Sequence, residues 1–187
     1  MPELPEIQHY QYRLIKYYTE HYRVKRGEPT WGYIQLMFID LSPQSYLGVY
    51  DWWGIPKPAV AALVESNQPV LAMIQQTRDS ASAVWVINDS AENFGTVRVH
   101  WRVVDGERVI ADHVEEFELG AGAKLRVADL PISGQDTNRV DADLVVRAAD
   151  GRIITRNRYR DLFGHPEHVG GHPTRMNHEL GVRLYSA

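Results

Sequence analysis

Cysteine is absent from the 187 residues, which excludes a disulfide framework, a thiol nucleophile, an iron–sulfur cluster and every zinc site with a cysteine ligand. Positive charge is not in excess either, since 20 Lys and Arg stand against 24 Asp and Glu for a formal charge of −4. Such a chain lacks the overall field that draws phosphate backbones, so nucleic acid is not an expected partner. No apolar run approaches the roughly 20 residues needed to cross a bilayer. The opening, Met1 to Glu6, has neither the basic start nor the apolar stretch of a secretory signal. The expectation is a soluble chain with no membrane partner, its compartment left open. The 44% hydrophobic content is enough for a folded core.

What is present falls into two regions with different periods. From Glu6 to Arg26 the spacing is helical, with Ile7, Tyr10, Leu14, Tyr18 and Tyr22 recurring at three and four residues. Pro5 suits a first turn and Gly27 supplies a stop. Tyr33 to Ile39 is a nearly continuous apolar run that reads as a strand buried on both faces, covered by other parts of the protein or by another chain. Pro56 to Ser66 returns to helix.

After Asn67 the period becomes two. Seven strands are expected, at Val70–Gln75, Ala83–Ile87, Thr96–Val104, Arg108–Leu119, Lys124–Ala128, Ala142–Ala148 and Arg152–Tyr159. Alternation is clearest where Val97, Val99, Trp101 and Val103 face one way and Arg98, His100 and Arg102 the other. Asp105-Gly106 and Asp150-Gly151 are pairs that close tight hairpins. The expected fold class is therefore mainly β: a seven-stranded immunoglobulin-like sandwich over residues 67–163, preceded at 1–66 by a short α/β segment and followed at 164–187 by a strap.

Candidate chemistry is sparse. The tail histidines His165, His168, His172 and His178 have spacings that can ligate a metal, but glycines around them oppose a fixed geometry, so neither a metal site nor a cofactor is expected. Glycoside cleavage needs two carboxyl groups flanking one bond. Glu115 and Glu116 are neighbours on a strand and point to opposite faces, while Glu116 and Glu118 share a face as a solvated pair. Glu3, Glu6, Glu20 and Glu28 lie at a chain end, on a helix surface or in a turn. No residue is assigned a catalytic role. Trp31, Tyr46, Tyr50, Trp52 and Trp53 are more telling, because aromatic rings stack on the apolar faces of sugars as well as in cores. Asn88-Asp89-Ser90 fits the N-glycosylation pattern.

The order of elements carries a resemblance. Gly32 and Asp40-Leu41-Ser42-Pro43, then Val49 through Pro58 (Val-Tyr-Asp-Trp-Trp-Gly-Ile-Pro-Lys-Pro), then Ala62-Leu63 and Asn67-Gln68-Pro69-Val70, resemble the C-terminal end of glycoside hydrolase family 2, especially its β-mannosidase-like members. Val84-Trp85-Val86-Ile87-Asn88-Asp89 is similar to the opening of the sandwich that follows the catalytic barrel there. The resemblance implies a parent hydrolysing β-glycosidic bonds, with Tyr33–Ile39 as the eighth strand of a (β/α)8 barrel and Pro56–Ser66 as its last helix. Both catalytic glutamates would then precede Met1, leaving this chain as scaffold, non-catalytic alone. Leu36, Met37 and Ile39 stand where mannosidase-type members commonly carry Trp, Gln and Asn. By the same correspondence Asp40, Asp51, Trp52 and Trp53 are candidate carbohydrate contacts, and Lys57 lies in the same loop.

Two other readings come from different classes. A stand-alone sandwich could bind glycan or a protein partner. Met1-Pro2-Glu3-Leu4-Pro5-Glu6 resembles the start of formamidopyrimidine-type DNA glycosylases, whose Pro2 amine is the nucleophile, but the acidic chain and the tyrosine-rich helix that follows do not suit that family. The partners expected are carbohydrate through the parent enzyme, and the remainder of the barrel or a second copy of the chain.

Overall fold

The computed structural model describes residues 4–28, 30–44, 47–77 and 80–163. The tail histidines, Tyr46 and the Met1-Pro2-Glu3 opening lie outside them. Two compact units emerge: one takes residues 4–18 and Tyr33–Val64, the other Thr19–Gly32 and residues 65–163. Helix α1 (Leu4–Val24) contributes to both, and helix α2 (Pro58–Ser66) lies mainly in the first. Among the described residues no helix is long and apolar enough to cross a membrane.

The second unit is a β-sandwich. Strands β1 (Val70–Gln76), β2 (Ser80–Asn88) and β5 (Lys124–Ser133) form a sheet in the order β1-β2-β5. Strands β3 (Thr96–Asp105), β4 (Arg108–Glu118), β6 (Val140–Ala148) and β7 (Ile153–Tyr159) form another in the order β4-β3-β6-β7. All neighbours pair antiparallel. The seven strands stand where the sequence places them, and the fold is mainly β with an immunoglobulin-like sandwich. Gly106 and Gly151 both take positive φ, +59° and +87°, at the β3–β4 and β6–β7 hairpins, a conformation open to glycine because it has no Cβ.

Inward residues of the two sheets make one core. Val97, Val99, Trp101 and Val103 of β3 join Ala142, Leu144 and Val146 of β6 and Ala72, Ile74, Val84 and Val86 of the other sheet. Each fully buried side chain of this size contributes about 1.5–3 kcal/mol of hydrophobic stabilisation.

The three-stranded sheet buries its other face too. Leu71, Met73 and Ile87, all at 0% exposure, pack with Val24 from the last turn of α1. This is why β1 reads as a continuous apolar run and does not alternate. The helix end is fixed there by polar contacts as well: Lys124 Nζ donates to the carbonyls of Val24 (3.3 Å) and Arg26 (2.9 Å), closing orphan acceptors at a helix C-terminus. Arg23 donates to Asp89 (2.8 Å) and to the Ser66 carbonyl (2.5 Å), and Arg26 also pairs with Asp89.

Behind the inner face, Tyr159 Oη donates to Glu20 Oε2 (2.6 Å) and accepts from the backbone N–H of Ile74 (3.0 Å). Asn157 Nδ2 donates to Glu20 Oε1 (3.0 Å) and to the Ala72 carbonyl (2.9 Å). Three polar side chains buried together are tolerated because each has partners. Burial first, and the Glu20 charge second, push the Tyr159 phenol well above its ordinary pKa.

The first unit is smaller. Ile15, Val49, Ala59 and Ala62 are its buried apolar cluster, with Tyr12, Tyr50, Val60 and Leu63 packed against them. Here one expectation fails. Tyr33–Ile39 is not a buried strand: its one ladder contact among the described residues is a bridge from Ile39 to Tyr50, and Ile34, Leu36 and Phe38 are 92%, 78% and 69% exposed. A strand is buried on both faces only when strands flank it and helices cover it. The described residues of this unit supply two helical segments and no further strand.

Candidate functional site

The segment after Ile39 is a loop whose base is tied shut. Asp40 is the knot: its N–H donates to the Tyr50 carbonyl (3.1 Å), Oδ1 accepts the Gly48 N–H (2.5 Å) and Oδ2 accepts Lys57 Nζ (2.5 Å). Both charged side chains are out of water, at 0% exposure for Asp40 and 2% for Lys57. The buried Asp40 carboxylate is compensated at both oxygens, by the Lys57 ammonium and by the Gly48 N–H. Gly48 is required by space: a Cβ there would lie 2.6 Å from the Asp40 nitrogen and 2.7 Å from Oδ1. The Gly48 carbonyl accepts from Gln11 Nε2 of α1 (2.9 Å), and the Lys57 N–H donates to the Val49 carbonyl (2.9 Å).

Asp51 organises the tip. Its Oδ1 accepts the N–H groups of Trp53 (2.9 Å) and Ile55 (2.8 Å), its own N–H donates to the Ile55 carbonyl (2.9 Å), and its carbonyl accepts from Gly54 (3.0 Å). A carboxylate bonding backbone N–H groups two and four residues on is how aspartate pins a tight turn. The turn displays Trp52 at 49% and Trp53 at 70% exposure. Beside it Phe38 and Tyr50 pack with ring centroids 4.8 Å apart.

The four candidate contacts thus divide. Trp52 and Trp53 present aromatic surface to solvent, while Asp40 spends both carboxylate oxygens, and Asp51 its Oδ1, on the loop itself. Lys57, met in the sequence only as a loop residue, is the partner of Asp40. Sequence reasoning missed Gly48 and Gln11, for which the close Gly48–Asp40 approach had no local signal. Trp31, in the other unit, is 87% exposed.

The sandwich offers a different surface. On the outer face of the four-stranded sheet Arg98 pairs with Glu116 (2.8 Å), and Asp112 takes His100 Nε2 (2.8 Å) and Arg102 (2.5 Å). Asp143 takes Arg156, and Asp141 takes Arg160 (3.0 Å). The Arg156 hydrogen bond holds the Asp143 carboxyl below its ordinary pKa, and the His100 contact does so for Asp112. The face is a ladder of compensated charges, with Val114 and Val145 opposite His100. Among the described residues it carries no Trp, Tyr or Phe. Glu115 and Glu116 do face opposite ways, opposite Val99 and Arg98 respectively.

Asn88 is fully buried, and its Nδ2 donates to the carbonyls of Glu92 and Gly120 (both 2.8 Å). The glycosylation pattern is thus a structural Asx motif in the folded chain: Asn88 Oδ1 accepts from the Ser90 backbone N–H (3.0 Å).

Comparison with known proteins bears on this architecture. Residues 80–163 match the model of the Mannosidase Ig/CBM-like domain. No curated protein sequence matches the chain significantly. Among solved structures, the exo-chitosanase of Amycolatopsis orientalis aligns with a TM-score of 0.66 and 22% identity over 80% of this chain. Its complex with PNP-β-D-glucosamine gives a TM-score of 0.67 over 82%. The β-D-mannosidase of Dictyoglomus thermophilum aligns with a TM-score of 0.59 and 16% identity over 80%. In each case the chain spans 18% of the solved protein's length. With its β-sandwich, its matched domain and this shared fold, the chain resembles the C-terminal, Ig-like portion of family 2 glycoside hydrolases.

Proposed function

We propose that this chain is the C-terminal scaffold portion of a larger family 2-like glycoside hydrolase, non-catalytic alone, whose parent cleaves β-glycosidic bonds. Its contribution to the substrate pocket is the turn carrying Trp52 and Trp53. The observation that carries the reading is the reach of the fold likeness: 80% of the chain is covered, well beyond residues 80–163, so the likeness takes in helix and loop as well as sandwich. The site supports it chemically. Two exposed indole rings on a turn pinned by Asp51 are suited to the apolar face of a pyranose, and the backbone that carries them is held before a sugar arrives. Asp40 and Asp51 act in this reading through the loop and not by touching sugar.

The exposed run Ile34, Leu36 and Phe38 is, in the same reading, where further polypeptide of the parent joins the first unit. A stand-alone glycan-binding sandwich is less well supported, because one sheet face is covered by α1 and the other is a charge ladder. Titration of tryptophan fluorescence with oligosaccharides of mannose, glucose and glucosamine tests the proposal. A saturable response abolished by Trp52→Ala with Trp53→Ala is expected. A response that survives the double substitution, or none at all, would count against the turn as a sugar wall.

A further inference from the structure

We infer that Asp40, Lys57 and Gly48 are positioning residues for the turn that carries Trp52 and Trp53. The inference deepens the sugar-wall reading and rests on it for its ligand. Asp40 ties three separate points of the loop at once, through Tyr50, Gly48 and Lys57, and Lys57 closes the far end directly after the tryptophan turn. Mere burial does not require a charge pair here, since apolar residues of similar volume commonly stabilise an interior as well or better. What an ion pair with fixed hydrogen bonds adds is orientation. The loop closes over Gly48 without the space for a methyl group, so its path is restricted to one approach. Left-handed backbone at Met37 (φ +66°), whose carbonyl accepts the Val49 N–H (3.3 Å), shows the same closure holding a conformation that a side chain disfavours. A turn held in this way loses little conformational entropy on binding a ring, which is how rigidity becomes affinity.

The experiment uses the whole chain labelled with fluorotryptophan. Its five tryptophans are assigned in fluorine NMR spectra by single Trp→Phe replacements. In Lys57→Met and in Gly48→Ala the Trp52 and Trp53 lines are expected to shift or broaden while those of Trp85 and Trp101 hold. Affinity for the oligosaccharide that the unaltered chain binds is expected to fall about tenfold or more. Ile15→Val trims the core of the same unit without touching the loop ties, and should keep affinity within about twofold. Should Lys57→Met fail to fold, Asp40→Asn combined with Lys57→Gln removes the charges and keeps hydrogen-bonding groups, and is read by the same two measures. Unmoved Trp52 and Trp53 lines with unchanged affinity would overturn the inference. If the unaltered chain binds no saccharide, the sugar-wall reading fails, and the NMR lines alone still decide whether these residues position the turn.

Discussion

The two units are held by different physics. The sandwich has a continuous apolar core between two sheets, backed by a second cluster where Val24 covers Leu71, Met73 and Ile87. The helix-and-loop unit has a cluster of four buried apolar residues, two of them alanines, and an ion pair buried at the base of its loop. A large core tolerates the loss of any one polar contact. A small core with an ion pair buried at its loop does not, and its damage should stay local.

The largest effect is expected where that contrast is sharpest. Lys57→Met leaves the Asp40 carboxylate buried without its cation, at a cost of about 3–5 kcal/mol. Hydrogen exchange should show the loss in residues 33–57 and leave the β3 and β6 amides protected; equal loss in both units would break the distinction. Next comes Leu144→Ala, which removes a fully buried side chain from the sandwich and should cost about 3 kcal/mol. Urea denaturation followed through the buried Trp101 measures it.

Tyr159→Phe is smaller, about 1–2 kcal/mol at neutral pH, because it removes the hydroxyl shared by Glu20, Ile74 and Asn157. It also carries a pH signature. The folded phenol's pKa is raised above its unfolded value of 10.0, so the contribution is full below that value and is lost as pH rises through the folded one. Stability of the sandwich should therefore decline in alkaline solution, and Tyr159→Phe should flatten that decline. The smallest effect belongs to the charge ladder. Arg98 and Glu116 are 53% and 57% exposed, and Arg98→Ala should cost under about 0.5 kcal/mol in thermal melts.

The same contrast explains what was legible in the sequence. The strands could be read because a half-buried strand writes its burial into alternating residues, as Val97 to Val103 do, because a strand covered on both sides such as β1 is a short apolar run, and because Asp-Gly marks two of the hairpins. Tyr33–Ile39 misled because burial on both faces is a property of neighbours: an apolar run shows what a segment could bury against, not whether anything is there. The part played by Thr19–Gly32 in the sandwich unit was hidden for a related reason. Helical period shows which face of α1 is apolar and is silent about which layer it covers. At the candidate site the residue types were legible and their division of labour was not. Asp40 and Trp52 look alike as polar and aromatic candidates until the hydrogen bonds place one inside the knot and the other in solvent.

The central claim is that this chain supplies fold and surface, while the bond-breaking acids belong to the rest of a parent enzyme. The most direct measurement is release of chromophore from aryl β-D-mannoside and aryl β-D-glucosaminide by the purified chain. The account predicts a rate equal to the blank. Turnover above the blank that disappears when one of the chain's own carboxylates is replaced by its amide would contradict it.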